Sequence, residues 1–296
     1  MIRDLDTLSG GGESLAASRD NDSGSIPGAP AARYRYIDEA GEHLHTLDGK
    51  PLLGTSTVVN VIGKPLTWWA AGMSLTPLGW LNKRKSTAAE RRAAAMEAIA
   101  RLTLLSAKDY EQLLETCYRA HDTRKKDTAA AGTDMHAALE EFVKECIYEN
   151  AGSPLSPALQ FGAEVDRFCA WALENVTEFL WSEGHCYSET MWTGGVCDCG
   201  CLLKNGKLAV IDFKSSKDAY FSQYVQCGGY SVAIAENGIV TRDGQPVLEP
   251  VAVEALMVFA FGSDDEPVIR YDVAKYQDAF RAAVTIHKLK QAYENQ

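Results

Sequence analysis

The chain has 296 residues, of which 46% are hydrophobic and 23% charged, and this composition is typical of a folded globular protein rather than a disordered one. It contains neither a long apolar run nor a basic-then-apolar start, which argues against a membrane span and a signal peptide. We therefore expect a cytoplasmic protein whose eight cysteines remain thiols. The formal net charge of −11 argues against nonspecific coating of nucleic acid.

The first 130 residues divide into a leader and an N-terminal section. Residues 1–32 are rich in glycine, serine, aspartate and alanine, which predicts a flexible leader. Residues 33–130 are predicted to form short strands followed by a section of helices. The predicted elements of this section are strands within 34–59, a helix over 68–80 that is interrupted near Pro77, and helices over 86–105 and 109–126.

Residues 131–296 are predicted to form a second section that mixes helices and strands. Thr133, which follows Gly132, is a suitable N-cap for a helix that ends near Tyr148. The remaining predicted elements are a helix over 156–174, strands over 176–214, a helix over 218–236, strands over 251–261 and 267–271, and a closing helix over 275–293. We expect an α/β or α+β fold, with a central mixed β-sheet flanked by helices.

A β-hairpin is predicted around the turn sequence Asn205-Gly206. A two-residue loop would pair Asp198 with Phe213 and leave this carboxylate alone on an apolar face. A three-residue loop, with Gly206 in the left-handed region, shifts the register and places Asp198 opposite Asp212. Since burying a lone carboxylate costs roughly several kcal/mol, the second register is favoured.

The favoured register also creates a uniformly apolar opposite face of the hairpin. This face consists of Cys197, Cys199 and Cys201 opposite Phe213, Ile211 and Ala209. Cysteines two apart on one strand spread along a row, and no pair of histidines follows them. We therefore expect buried thiols rather than a zinc site.

Asp198 and Asp212 lie side by side in this register, and Lys214 shares a strand face with Asp212. Two adjacent carboxylates raise each other's pKa unless a cation joins them, and hard oxygen ligands suit Mg²⁺ or Mn²⁺. An adjacent lysine can stabilise negative charge on a phosphate. The alternative is a surface hairpin with an ordinary ion pair.

Four short motifs occur in a fixed order along the second section. They are Gly132-Thr133-x-x-His136, Gly194-Gly195-x-x-Asp198, Asp212-x-Lys214 and Gln226-x-x-x-Tyr230. Together they resemble the RecB-like branch of the PD-(D/E)XK nucleases, which includes phage-type exonucleases and the mitochondrial genome maintenance exonuclease. The resemblance covers about residues 131–231 and implies a nuclease core over 131–296, preceded by a helical gate section.

The resemblance implies a metal centre and a catalytic group. His136, Asp198 and Asp212 are implied as metal ligands, joined by the backbone carbonyl of Phe213. Lys214 is implied as the catalytic lysine, acting beside the two aspartates. The implied cofactor is Mg²⁺ or Mn²⁺.

The resemblance also implies supporting residues around this centre. Gln226 and Tyr230, which share one helical face, are implied to hold the lysine or the DNA strand. Glu189 is a further candidate because some members carry an upstream acidic residue. Glu140, on the same helical face as His136, is either a partner of that histidine or a solvent-facing glutamate. Several relatives hold an iron–sulfur cluster on cysteines after the core, but Cys227 is the last cysteine here, so we expect no such cluster.

The implied function is a DNA exonuclease that hydrolyses phosphodiester bonds at DNA ends or in single strands, in recombination, repair or phage DNA processing. The expected setting is the cytosol of a bacterium or of a phage-infected host. The expected partners are DNA and a recombination or single-strand-binding protein. The alternatives are a structure-specific endonuclease on the same fold and a catalytically silent DNA-binding subunit.

An acidic nuclease needs local positive charge to bind DNA. The basic residues that we expect to contact DNA are Lys83, Arg84, Lys85, Arg124, Lys125, Lys126 and Lys217. The alternative for these residues is a set of solvated helix ends. Trp68, Trp69 and Trp80 are candidates for stacking on unpaired bases, with core packing as the alternative.

Overall fold

A computed structural model describes residues 33–39, 42–63, 67–156, 162–263 and 265–295. The leader predicted at 1–32 lies outside these ranges. Within them, no helix combines the length and apolarity that crossing a membrane requires.

The described residues form short N-terminal strands, a group of helices, and then alternating strands and helices. The strands are β1 (Tyr34–Glu39), β2 (Glu42–Leu47), β3 (Lys50–Pro51), β4 (Leu53–Gly54), β5 (Val176–Ser188), β6 (Thr193–Leu203), β7 (Leu208–Lys214), β8 (Ile239–Val240), β9 (Pro246–Leu248), β10 (Ala255–Ala260) and β11 (Ile269–Arg270). The helices are α1 (Thr55–Val58), α2 (Thr67–Leu75), α3 (Ala88–Leu102), α4 (Ala107–Glu149), α5 (Ala163–Asn175), α6 (Phe221–Asn237) and α7 (Val273–Glu294). Short 3-10 helices follow α1 and α2, at Val59–Val61 and Thr76–Leu78.

The main sheet is mixed, which confirms that part of the predicted fold. Its strand order is β11-β10-β7-β6-β5-β8-β9, and β4 joins it by pairing with β6. β7 pairs parallel with β10, β4 pairs parallel with β6, and the other pairs are antiparallel. Both faces are covered by helices, as a sheet with buried strands on both sides requires.

Two hydrophobic cores lie on opposite faces of this sheet. On one face, α4 and α5 place Phe142 and Phe168 against the sheet residue Phe213. On the other face, α6 places Cys227 and Ile234 among residues of β7 and β10, and α7 packs outside α6. Each buried aromatic or aliphatic side chain contributes about 1.5–3 kcal/mol, so these layers hold the sheet rigidly between the helices.

The helix α4 differs from the prediction. We predicted two helices over this segment and Thr133 as an N-cap, but one helix runs from Ala107 to Glu149, so the boundary at 130/131 falls inside it. Its actual N-cap is Ser106, whose hydroxyl accepts from the amide of Asp109. The alanines that precede Gly132 favour helix, and one interior glycine costs only about 1 kcal/mol. Continuity of α4 therefore outweighs the local cap signal.

The predicted register of the β6–β7 hairpin is confirmed over residues 199–202 of β6, and the backbone pairing ends before Asp198 and Asp212. Gly200 pairs with Val210 and Leu202 with Leu208, and the amide of Leu203 bonds to the carbonyl of Lys207. The loop is therefore 204–206, and its last residue, a glycine, has φ of +79°. This left-handed conformation is the one that a three-residue hairpin loop requires.

The predicted row of cysteines is only partly correct. Cys199 and Cys201 pack in the core under α4 and α5, opposite Ile211 and Ala209 as predicted. Cys197 instead packs in the core under α6. Pairing with β7 ends at Cys199, and strict alternation of the faces is not kept beyond that point.

Candidate metal centre

The site lies at a gap along one edge of β6. On that edge, β4 pairs with Thr193 and Gly194, and β7 pairs with the segment 199–202. Between these two pairings, residues 195–198 have no backbone partner on this edge among the described strands. β5 pairs with the opposite edge of β6, so the gap is open on one side and backed by sheet on the other.

Asp198 closes the end of the β6–β7 ladder. Its Oδ2 accepts a 2.5 Å hydrogen bond from the backbone amide of Phe213 and lies 4.0 Å from Nδ1 of His136. The side chain is 12% exposed, and burial raises its pKa although Lys214 and the Phe213 amide oppose that shift. A carboxylate is thus held in a fixed position where the strands separate.

Asp212 and Lys214 form a buried ion pair beside Asp198. Nζ of Lys214 lies 2.7 Å from Oδ2 of Asp212, whose side chain is fully buried. Apart from this ionic contact, neither oxygen of Asp212 has a hydrogen bond of acceptable geometry to a described residue. Burial and then Asp198 raise the pKa of Asp212 to about 6, against the effect of Lys214. Burial alone would lower the pKa of Lys214, but the two carboxylates outweigh it and raise that pKa.

His136 reaches the site from α4. Its Nε2 lies 2.8 Å from the carbonyl oxygen of Phe213. A carbonyl can only accept, so Nε2 carries the proton and a neutral imidazole keeps its free lone pair on Nδ1, the atom nearest Asp198. Burial and the nearby Lys214 lower the pKa of His136, which favours this neutral form.

Glu183 belongs to this site and was missed by the sequence analysis. It lies on β5, between the pairs Ser182↔Cys199 and Gly184↔Cys197, and therefore faces Asp198. Its φ of +50° is rare for a residue with a side chain. Burial, then Asp198, raise its pKa to about 8. No local pattern marks this position, because it depends on the pairing of β5 with β6.

His136, Glu183 and Asp198 each offer a ligand atom, and these atoms lie within 4.8 Å of one another. Opposite ligands of one Mg²⁺ ion are separated by about 4.2 Å, twice the usual Mg–O distance. Two carboxylates and a neutral imidazole are a donor set that a divalent cation accepts. The residues present therefore fit the implied metal, with a changed donor set. His136 and Asp198 are in this group as predicted, whereas Glu183 is in it and Asp212, predicted as a ligand, is not.

The other two candidate glutamates, Glu189 and Glu140, form ion pairs outside the His136–Glu183–Asp198 group. Glu189 does not reach the site, because it lies in the turn after β5 and forms an exposed 3.0 Å ion pair with Arg33. Glu140 lies one helical turn after His136 and pairs with Lys144 at 2.6 Å. Its negative charge raises the pKa of Glu183 and Asp198.

Gln226 and Tyr230 line the inner wall of the gap. Nε2 of Gln226 donates a 2.6 Å hydrogen bond to the hydroxyl of Tyr230, and both side chains are buried. The ring of Tyr230 packs at Gly195, where a Cβ would lie only 2.7 Å from it. Among the described contacts they bond to each other and not to Lys214.

The predicted DNA-contacting residues have different positions. Lys83, Arg84 and Lys85 are exposed in the loop between α2 and α3, and Lys217 is exposed in the loop after β7. The side chains of Arg124, Lys125 and Lys126 lie outside the described part of the structure, as does that of Trp68. All eight cysteines are free and buried.

Neither a protein-family model nor a curated protein matches this sequence. Conclusions about function therefore depend on the chemistry that these side chains can perform. These side chains offer one imidazole and two carboxylates as a donor set for a cation, beside a buried Asp–Lys pair.

Proposed function

We propose that this chain is a divalent-cation-dependent DNA nuclease with a PD-(D/E)XK core of the RecB-like kind. The observation that supports this most strongly is the convergence of Asp198, Asp212 and Lys214 at the gap in β6. An ordinary surface ion pair does not explain it, because the pair is buried and burying two ions is costly. Retaining such a cluster is typical of a reaction centre.

The cation is proposed to be Mg²⁺ or Mn²⁺, held by His136, Glu183 and Asp198, with Asp212 behind them. Such a cation supplies positive charge that stabilises the negative charge developing on a phosphodiester. Its binding also removes the repulsion among the carboxylates, whose pKa values burial has raised.

Lys214 is proposed to stabilise the phosphate during hydrolysis. Its side chain is 25% exposed, and its ammonium group is held by the buried carboxylate of Asp212. A positioned cation of this kind contributes about 10²–10³ in rate. Asp212 acts as the residue that orients Lys214, and the Gln226–Tyr230 pair keeps the wall of the gap in place.

The test is metal-dependent digestion of end-labelled linear DNA by the parent and by Lys214→Ala. We expect the parent to cut with Mg²⁺ or Mn²⁺ and the variant to be slower by about a hundredfold or more. Lys207→Ala is the matched control, because Lys207 lies on the same hairpin but pairs with Glu254 on the surface. Equal rates for the parent and Lys214→Ala would refute the proposed mechanism.

Exonuclease action on ends or single strands is proposed as the mode of cleavage. A closed circular single strand separates it from endonuclease action, because an exonuclease leaves the circle intact while degrading the linear form. Cutting of the circle would favour the structure-specific endonuclease. Binding without any cutting would favour the catalytically silent subunit.

A further inference from the structure

Two tryptophan rings lie on the surface of the α2 region, outside the metal centre. Trp69 is 40% exposed and Trp80 is 39% exposed. The ring of Trp80 packs against Gly72, where an added Cβ would lie only 2.9 Å from the ring. Since Trp69 and Gly72 are three residues apart on α2, the two rings share one side of this helix.

The backbone holds Trp80 in this position. The preceding residue, Gly79, has φ of +83°, a conformation suited to glycine. The amide of Trp80 bonds to the carbonyl of Leu75 at 3.2 Å, which ties it to the end of α2. α3 packs on this turn, because a Cβ added at Gly79 would lie 2.6 Å from the Cβ of Ala98. A half-exposed indole on a fixed support is suited to stacking.

Positive charge follows these rings directly. Lys83, Arg84 and Lys85 are exposed and have no ion pair with a described residue. The segment 83–101 contains six basic and two acidic side chains, a surplus of four positive charges in a chain of net charge −11. Such a local surplus attracts a polyanion that the rest of the surface repels.

We propose that Trp69, Trp80 and the basic run 83–85 form a binding surface for single-stranded nucleic acid. Indole rings stack on unpaired bases, and the adjacent cations follow the phosphates. A duplex would not expose its bases to these rings, and an apolar protein partner would gain little from three unpaired cations. α2 packs against α4, the long helix that also carries His136. The inference rests on the proposed nuclease function and names the unpaired strand as its ligand.

The experiment measures binding without cleavage, so that it can fail separately from the nuclease proposal. Fluorescence anisotropy of a labelled oligothymidylate is recorded with the full chain in EDTA. We expect Trp80→Ala to weaken binding by about fivefold to a hundredfold, the range for one stacked base, and Trp80→Phe to keep most of the affinity. Leu289→Ala, which removes an exposed apolar side chain from α7, is the control and should bind like the parent.

Two further variants exclude misfolding as an explanation. Gly72→Ala favours the helix by about 1 kcal/mol but displaces the Trp80 ring, so it should bind more weakly while melting no lower. Replacing Lys83, Arg84 and Lys85 by alanine should make the slope of log affinity against log salt concentration less steep by about 2. Each phosphate contact on a single strand contributes about 0.7 to that slope. Equal affinity of the parent, Trp80→Ala and Gly72→Ala would overturn the proposal. Loss of cleavage in Lys214→Ala with unchanged oligothymidylate binding would leave both proposals supported.

Discussion

The backbone amide of Phe213 donates its hydrogen bond to the carboxylate of Asp198 rather than to the backbone of β6. The β6–β7 ladder therefore ends in a side chain, and the strand pair opens where the catalytic groups are proposed to act. The same residue, Phe213, accepts from His136 through its carbonyl. One peptide segment thus positions two of the proposed ligands, and its side chain anchors it in the core.

Glu183 is expected to matter for activity, whereas Glu189 is not. Glu183→Gln keeps the shape of the side chain but removes the carboxyl group that lies beside His136 and Asp198 as a proposed metal ligand. We expect the Mg²⁺ concentration for half-maximal DNA cleavage to rise by about tenfold to a hundredfold. Glu189→Gln is the matched control, because this residue pairs with Arg33 on the surface and should cleave like the parent. An equal effect of both substitutions would contradict the position of Glu183 in the centre.

Stabilisation by Mg²⁺ is expected to grow as the pH rises. The pKa of Asp212 is raised to about 6 and that of Glu183 to about 8, above the values near 4 of an unfolded chain. Because these pKa values are raised in the folded state, the two groups stabilise the fold fully below about pH 4. This contribution to the free energy of unfolding is lost as the pH rises through 6 to 8. A divalent cation replaces the missing protons, so its effect on Tm should be larger at pH 8 than at pH 6. Differential scanning fluorimetry with and without MgCl₂ measures this.

The control for this pH dependence is Glu183→Gln. It removes the group with the higher pKa, so the difference between the two pH values should shrink. A Tm shift that is as large at pH 6 as at pH 8 in the parent would show that protons and the cation do not compete at this site.

The small sheet that β1, β2 and β3 form is expected to attach less firmly to β5 in acid. The hydroxyl of Tyr34 lies 2.6 Å from Nδ1 of His45 and 3.2 Å from Nδ1 of His185, which joins β1 and β2 to β5. Burial lowers the pKa of both histidines to about 4. A lowered pKa gives stability that is complete above about pH 6.5 and is lost as the pH falls towards 4. For His45 alone, this corresponds to about 1–2 kcal/mol between about pH 7 and pH 5.

Urea unfolding of the parent and of His45→Asn at the two pH values checks this expectation. The variant should be less stable at neutral pH and should lose less stability on acidification. His43→Gln, an exposed histidine on the same strand, should keep the parental pH dependence. The expectation is wrong if His45→Asn and the parent lose stability equally.

Gly195 is expected to tolerate no side chain. A Cβ there would lie 2.7 Å from the ring of Tyr230 and 2.9 Å from Oγ1 of Thr55, so Gly195→Ala forces both neighbours to move. We expect the free energy of unfolding to fall by about 1–3 kcal/mol, as for other overpacked cores, and DNA cleavage to fall with it. Gly63→Ala is the control, because no atom of a described residue beyond its chain neighbours lies within 4 Å of its Cβ position. Unchanged stability of Gly195→Ala would contradict the close packing of Tyr230.

Much of the candidate site followed from local rules of chain geometry. The cost of burying Asp198 alone was enough to choose the three-residue loop, and the alternation of a strand placed Asp212 and Lys214 on one side. The spacing of Gln226 and Tyr230 likewise placed them on one helical face, where they bond to each other.

The remaining features depend on contacts between residues far apart in the chain. Glu183 enters the site because β5 pairs with β6 and adopts a rare backbone conformation opposite Asp198. The gap itself exists because β7 stops pairing with β6 at Cys199, while β4, from the N-terminal section, pairs only with Thr193 and Gly194. By itself, the sequence determined what periodicity and burial control: the hairpin, its register and the shared faces. Only the tertiary structure decided which distant acid completes the centre, because strand pairing across the sheet leaves no local pattern in the chain.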